Sequence, residues 1–162
     1  MCRGTWKLRL PQLVSILAAS GGLVLAAPAA AAQEYATPAG QALALVNQQR
    51  ARAGCGSLRI VARLQGPAAR QSRDQAARGR MGHDGADGST TEDRLGNQGY
   101  ARWAENVAQF QSARAAVRFW STSRPHRASM LNCAFTDTGL AVARSRAGRL
   151  YWTETFGADT RR

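Results

Sequence analysis

The sequence predicts a single domain of mixed helix and strand, an α+β fold. Its 162 residues suit one domain once an apolar N-terminal stretch is set aside. The first half of the remaining chain has apolar residues at helical spacing. The end of the chain instead has two short runs joined by a turn, which indicates an antiparallel pair of strands. Separate groups of helices and strands are typical of the α+β class.

The first 32 residues are expected to form a secretory signal peptide. Basic residues at positions 3, 7 and 9 precede an uncharged stretch over residues 10–27, and small alanines follow at 29–32. This order is typical of a cleaved export signal. An uncleaved membrane anchor is the alternative, because the apolar stretch is close to the minimum length that crosses a bilayer. Gly21, Gly22 and Pro28 weaken a spanning helix and favour cleavage.

Cleavage would leave a lead-in at residues 33–36, one folded domain at 37–158 and a tail at 159–162. No membrane span would remain after it. We therefore expect the mature protein to be secreted or held in the cell envelope.

The charge balance is strongly basic, with 22 basic against 10 acidic residues, and every basic residue after the signal is arginine. Guanidinium groups stay charged and pair bidentately with carboxylate and phosphate, so an anionic envelope polymer is a candidate partner. Nucleic acid is not expected, because export removes the usual target. Single arginines on the predicted helices have a plainer interpretation as solvated charges, which applies to Arg50, Arg52, Arg70, Arg73 and Arg78.

Two cysteines, Cys55 and Cys133, remain once Cys2 is removed with the signal. An even pair in an exported chain favours a disulfide. A cross-link that closes so long a loop is worth roughly 4 kcal/mol by chain entropy. Two buried free thiols are the alternative, and a nucleophilic cysteine is disfavoured because no residue near Cys55 resembles a base.

Two helices are predicted in the first half of the domain. The first begins at a Thr-Pro pair at 37–38, where threonine can cap and proline fits the first turn, and it extends to Gly54. The second extends from about position 64 or 67 to Arg78, and Gly79 can end it in the left-handed conformation. Small residues at 68, 69, 72 and 76 give it a face that permits close packing.

A loop, a short helix and an extended stretch are predicted next. Residues 80–89 contain three glycines and two aspartates, so they predict a loop, which carries His83. Ser89 with Glu92 fits a capping box that starts a short helix through Leu95. Residues 102–107 alternate, which places Glu105 on an apolar face. A carboxylate there is costly unless it is paired, so Glu105 needs a partner.

The last third of the chain predicts one more helix and two strands. Ser112 caps a helix with an apolar stripe that ends at Trp120, which we interpret as a core residue. Residues 121–133 form a connection that carries His126 and Cys133. Strands at 138–144 and 150–156 are joined by a short turn with Gly148, which is typical of a hairpin.

The candidate functional residues are His83, Glu105 and His126. They are separated by 22 and 21 residues, unlike short metal motifs such as H-E-x-x-H, so only the tertiary fold could bring them together. Each also has a plainer interpretation. In these interpretations His83 is a loop histidine bonded to backbone, Glu105 is a carboxylate paired with an arginine, and His126 is a histidine in a turn.

Several motifs resemble the bacterial branch of the CAP superfamily, named for cysteine-rich secretory proteins, antigen 5 and pathogenesis-related 1 proteins. They are AENVA at 104–108, RPHRASMLN at 124–132, FTDTGLAVA at 135–143 and YWTETFG at 151–157. With ALVNQQRARAGC and ARGRMGHDG, the resemblance covers about residues 37–157. It implies an α-β-α sandwich, in which a small, largely antiparallel sheet lies between helical layers with an open cleft on one side.

The resemblance also implies a site. In that family two histidines and two glutamates line the cleft, and in several members they hold a divalent cation such as zinc. Carried over by motif, His83, Glu105 and His126 would be cleft residues and metal ligands, with Asn106 beside them. Ser123 stands where the second glutamate would fall. Three ligands and a water can still form an open zinc site.

The function implied by the resemblance is that of a secreted binding module. Its cleft would hold a lipid, an envelope component or an extracellular protein, with or without a divalent cation. One alternative is a metal-dependent hydrolase or peptidase with Glu105 as the base. Another is a purely structural trio, in which Glu105 is bonded between two imidazoles and braces loops over the sheet. We rank the binding module first, the structural trio second and the enzyme third.

Overall fold

The computed structural model describes residues 36–158, which form five α-helices, one 3-10 helix and four strands. The predicted signal peptide, most of the lead-in and the tail lie outside the described residues. The helices are α1 (Pro38–Arg52), α2 (Ala62–Arg78), α3 (Thr91–Leu95), α4 (Ala113–Thr122) and α5 (Arg124–Met130). The strands are β1 (Arg59–Ile60), β2 (Arg102–Gln109), β3 (Asp137–Arg144) and β4 (Leu150–Ala158), and the 3-10 helix follows α3 at Gly96–Gln98.

The strands form one sheet in the order β1-β3-β4-β2. The β3–β4 and β4–β2 pairs are antiparallel, while the short β1 is parallel to β3. The long strand β2 is therefore at one edge, paired with β4 alone. Within residues 36–158, no helix has the length and apolar character needed to cross a membrane.

One face of the sheet carries the main hydrophobic core. Trp152 and Phe156 of β4 and Leu140 of β3 point to this face and are fully buried. Helices α1, α4 and α5 cover them with apolar side chains, among them Val46, Val117, Trp120 and Met130. The indole of Trp120 also donates to Val107 O at 3.0 Å, so the interpretation of this residue as core is confirmed.

The opposite face of the sheet is covered by α2 at close range. Ser72 Oγ donates to Ala141 O at 3.1 Å, and Gln75 Nε2 donates to Thr153 Oγ1 at 2.9 Å. A Cβ at Gly139 would lie 2.2 Å from Leu64 O, so only glycine permits this approach of helix to strand. With helices on both faces of a mostly antiparallel sheet, the predicted α-β-α sandwich is confirmed.

The predicted helices α1 and α4 and the hairpin match the structure, and their local signals explain why. Thr37 Oγ1 accepts from Gly40 N at 3.0 Å, and Ser112 Oγ accepts from Ala115 N at 3.3 Å. Gly148 has φ 78° in the turn between β3 and β4, a left-handed conformation that favours glycine. Helix α2 begins at Ala62, earlier than predicted. The prediction missed this start because no side chain caps it, and because Pro67, which is typical of a first turn, lies inside the helix.

Two local predictions need correction. The capping box of α3 is formed by Thr90 and Asp93 rather than by Ser89 and Glu92, because the Ser89 amide donates instead to Asp87 Oδ1 at 3.0 Å. The connection over residues 121–133 contains a helix, α5, which begins after Ser123 with a proline in its first turn.

Arg50 is fully buried, so its interpretation as a solvated charge is wrong. Its guanidinium donates to Gly56 O at 2.9 Å, Met130 O at 2.8 Å, Asn132 O at 3.1 Å and Phe135 O at 2.8 Å. The predicted Cys55–Cys133 disulfide is present and joins the same two segments. The end of α1 is therefore held to the segment between α5 and β3 by both contacts.

Candidate functional site

Glu105 lies at the centre of a buried network beneath the loop that carries His83. Its Oε1 accepts from His83 Nδ1 at 2.9 Å, Thr91 Oγ1 at 3.1 Å and Arg94 Nη2 at 3.0 Å. Its Oε2 accepts from Arg94 Nη2 at 3.0 Å. The side chains of Glu105 and Arg94 are buried, whereas half of the His83 side chain is exposed. Arg94 is thus the charged partner that a buried Glu105 requires.

Arg94 also holds the loop that precedes it. Its Nη2 donates to His83 O at 2.6 Å, and its Nη1 donates to Ser89 O at 2.9 Å. Helix α3, fixed by its capping box, presents Arg94 towards β2. Because one guanidinium joins the loop backbone to Glu105 on β2, the His83 loop is held against the edge strand.

His126 lies in α5, which packs against the other face of β2. Its Nδ1 is 2.7 Å from Ser123 Oγ, and its backbone carbonyl accepts from Asn106 Nδ2 at 3.0 Å. Glu105 and Asn106 are adjacent on β2, so their side chains point to opposite faces of the sheet. Ser123 therefore positions the ring of His126, and the buried Asn106 holds its backbone.

The two imidazoles flank neighbouring residues of the edge strand. Burial lowers the pKa of His126, and the charge of His83 lowers it further. Each ring uses its Nδ1 within the protein, and neither Nε2 has a hydrogen-bond partner in the part of the chain that the structure describes. We name His83, Glu105, Ser123 and His126 the histidine site.

Aromatic rings extend the surface beside His126. The ring of Phe119 lies 4.9 Å from the imidazole of His126 and 5.3 Å from the ring of Phe110. Phe110 is 37% exposed, and Phe119 is half-buried. We name His126, Phe119 and Phe110 the ring strip. It provides an apolar surface next to an imidazole nitrogen that can accept or donate a hydrogen bond.

The cation that the resemblance implies does not fit the histidine site as it is arranged. Both carboxylate oxygens of Glu105 accept hydrogen bonds from protein donors, and one of these donors is a buried guanidinium. A second cation beside Arg94 would be repelled. Among residues 36–158, no group of three or more histidine, cysteine, aspartate or glutamate side chains is placed to hold a metal ion. The carboxylate instead orients His83.

The structure thus brings His83 and Glu105 into direct contact, and it places His126 with Ser123 across the strand. Glu105 contacts one imidazole, not the two that the structural alternative requires. Sequence reasoning missed Arg94 and Thr91, which complete the network. The sequence did contain a signal for both residues. They belong to a short capped helix directly after the His83 loop, and such a helix places its side chains near that loop.

Comparison with known proteins finds one matching family model and several similar solved structures. The model of the cysteine-rich secretory protein family, CAP, matches residues 43–156. A crystal structure of an extracellular SCP-domain protein from Bacillus anthracis is similar, with a TM-score of 0.68 and 26% identity over 86% of this chain and 45% of that one. An outer surface protein from Borrelia burgdorferi has a TM-score of 0.66 and 17% identity, over 73% of this chain and 90% of the other.

A cysteine-rich secretory protein from Staphylococcus aureus has a TM-score of 0.60 and 22% identity, over 75% of this chain and 39% of that one. This chain therefore spans less than half the length of the Bacillus and Staphylococcus proteins. The Borrelia and Staphylococcus structures support the fold alone. Comparison with curated protein sequences gives no match.

Proposed function

The chain belongs to the cysteine-rich secretory protein family, CAP, and from this premise we propose that it is an extracellular binding module whose histidine site binds a component of the cell envelope. The similar protein from Bacillus anthracis is described as extracellular, which supports a location outside the cytoplasm. A lipid or an extracellular protein are the other ligands that the family resemblance implies.

One observation carries this proposal: two imidazoles are held in place by their Nδ1 atoms while their Nε2 atoms have no partner within the described residues. A ring that is fixed on one side and free on the other is prepared to hydrogen-bond a ligand at little further entropic cost. The adjoining ring strip adds apolar contact area. A ligand with hydroxyl groups and an apolar face fits this combination.

Glu105 has a positioning role in this proposal. Its carboxylate accepts from Nδ1 and fixes the orientation of the His83 ring, so that Nε2 remains available to hydrogen-bond the ligand. A role as the base of a hydrolase is less well supported, because both oxygens already accept hydrogen bonds from protein donors. The purely structural alternative accounts for Glu105 and His83 but not for the ring of His126.

Binding can be tested with a panel of immobilised envelope glycans and with liposomes of neutral and anionic lipids. We expect His83→Ala and His126→Ala each to weaken binding about tenfold, as expected for loss of an interfacial hydrogen bond. Gln48→Ala, an exposed change on α1, serves as the control and should bind normally. No binding to any ligand of the panel, or binding that both histidine variants retain, would contradict the proposal.

The same purified proteins allow a test of metal binding. We expect calorimetric titration with zinc to show no site that requires Glu105, because its oxygens are already engaged. Tight zinc binding that is lost in both Glu105→Gln and His126→Ala would show instead that the site rearranges to hold a cation.

A further inference from the structure

A second feature of the surface is a cavity of about 600 Å³ between the end of α2 and the β3–β4 hairpin. This volume is within the range of small-molecule sites in proteins. No lining residue is acidic, and neither histidine belongs to the lining. The polar part of the lining is dominated by five arginines and one tyrosine: Arg73, Arg78, Arg144, Arg146, Arg149 and Tyr151.

The charge of this arginine cavity is not balanced by carboxylates. Within residues 36–158, none of its five arginines forms an ion pair. Arg78 donates to the carbonyls of Asp74 and Asp84, and Arg144 Nη1 donates to Gly148 O at 3.0 Å. These carbonyl contacts position two guanidinium groups without neutralising them.

The other three arginines have no side-chain hydrogen bond in the described part of the chain, and all three are exposed. They are Arg73 on α2 and Arg146 and Arg149 on the hairpin. Like charges converging on one concave surface repel each other, and a bound anion relieves that repulsion. Guanidinium groups pair bidentately with phosphate oxygens, so free arginines around a cavity suit a ligand with several phosphate oxygens.

Tyr151 gives a second, independent indication of a ligand. It belongs to the cavity lining, its side chain is fully buried, and its hydroxyl has no hydrogen-bond partner among the described residues. A buried hydroxyl without a partner is unfavourable, and native proteins rarely contain one unless something supplies the missing bond. A ligand oxygen at the base of the cavity would accept from it.

We propose that the arginine cavity binds a compact, multiply charged phosphate compound. The site is separate from the histidine site, since Tyr151 is four residues from Thr155, the partner of Glu105 in the sheet, or about 13 Å along β4. The phosphate groups would lie between the hairpin arginines and Arg73, and one oxygen would accept from Tyr151. The same chemistry is offered by a free oligophosphate and by a phosphomonoester lipid headgroup.

The test uses inorganic tripolyphosphate as the probe in calorimetric titration of the purified protein. We expect the triple variant Arg73→Gln, Arg146→Gln, Arg149→Gln to weaken binding about tenfold or more, because charge-assisted hydrogen bonds are lost. A matched variant, Arg52→Gln, Arg114→Gln, Arg118→Gln, removes the same charge from exposed positions outside the cavity. It should lose less than about threefold, since distant surface charges are screened by salt.

Tyr151→Phe provides a variant whose fold should be unaffected, because the hydroxyl that it removes makes no bond within the described residues. We expect it to weaken tripolyphosphate binding severalfold with an unchanged melting temperature. A competition arm with vesicles containing phosphatidic acid distinguishes the sources. Competition that requires the cavity arginines identifies a lipid headgroup, and tripolyphosphate binding without competition identifies a soluble compound.

Three results would overturn the proposal. One is the absence of measurable tripolyphosphate binding at low salt. Another is equal loss of binding in the two triple variants, which would show attraction to net charge alone. The last is normal binding by both the cavity triple variant and Tyr151→Phe.

Discussion

Glu105 illustrates how one residue determines the arrangement around it. Its carboxylate joins β2 to the loop of His83 and to Arg94 of α3. The side chains of Glu105 and Arg94 are shielded from solvent, whereas the imidazole of His83 is half-exposed. A buried guanidinium that loses its countercharge is strongly unfavourable. The stability of the loop therefore depends on this carboxylate as well as on the loop's own turns.

Replacement of this carboxylate gives a direct prediction. Glu105→Gln should lower the free energy of unfolding by about 2 to 3 kcal/mol, because Arg94 keeps its charge and loses its partner. Chemical denaturation would measure the change. Glu92→Gln removes one exposed carboxylate from the same short helix and should change stability by less than about 0.5 kcal/mol. A similar loss in both variants would contradict the role assigned to Glu105.

At this scale the sequence predicted that Glu105 needs a partner but not which one. The requirement follows from alternation along β2, which is local, whereas the choice of Arg94 depends on where a distant loop folds. Arg50 shows the opposite case. It lies four residues after the buried Val46 and so continues the buried stripe of α1. The prediction missed this because arginine side chains are usually exposed.

Among the elements, helix α2 packs closely on β3. It depends on Gly139, where any Cβ would overlap the backbone of Leu64. The neighbouring contacts of Ser72 and Gln75 hold the helix at that distance. The missing side chain at Gly139 thus sets the position of the whole helix relative to the sheet.

Two alanine substitutions separate packing from backbone entropy. Gly139→Ala should lower the free energy of unfolding by about 2 kcal/mol or more, because the helix must shift outwards. Gly66→Ala, on the exposed side of α2, should change it by less than about 0.5 kcal/mol, because the entropy gained in the helix is offset by the steric effect of Pro67 on the residue before it. The denaturation midpoint should therefore fall clearly in Gly139→Ala and stay nearly constant in Gly66→Ala. Equal behaviour would show that α2 is free to adjust.

Elements with a complete local signal were predicted, whereas β1 and α5 were not. Helix α4 has a serine cap and a regular apolar stripe, and the hairpin has a glycine in a left-handed turn. Strand β1 has only two residues, and its pairing with β3 is a tertiary contact. Helix α5 has a proline in its first turn, but its seven residues contain too few apolar positions to show a period.

For the molecule as a whole, two buried carboxyl groups favour opposite responses to pH. Burial raises the pKa of Glu154 to about 8, although the charge of Arg50 acts to lower it. Burial also acts to raise the pKa of Asp137, but hydrogen bonds from Arg59 and Tyr100 outweigh it and leave that pKa below its ordinary value. Glu154 therefore favours the protonated form in the folded state, and Asp137 favours the ionised form.

Stability should consequently fall as pH rises from 6.5 to 8. In this range the folded protein keeps a proton on Glu154 that the unfolded chain has released, so the free energy of unfolding decreases by up to about 1.4 kcal/mol per pH unit. Below pH 6.5 His126, whose pKa is lowered, acts in the opposite sense. Asp137 contributes stability that is lost only in acid, below its ordinary value of 3.8.

The test is thermal unfolding at several pH values in this range for the native protein and for Glu154→Gln. The variant cannot titrate at this position, so its melting temperature should change less with pH, and its advantage should be largest at pH 8. Parallel curves for the two proteins would show that Glu154 is not protonated in the folded state.

The contact between Arg50 and the segment before β3 has a consequence for the order of events during folding. Its carbonyl partners are 80 to 85 residues away in the chain, and the disulfide spans 78. Contacts of such sequence separation carry a large entropic cost of loop closure, so we expect them to form late in folding. Once Arg50 has docked, Cys55 and Cys133 are neighbours, so oxidation would lock in an arrangement that the guanidinium has already selected.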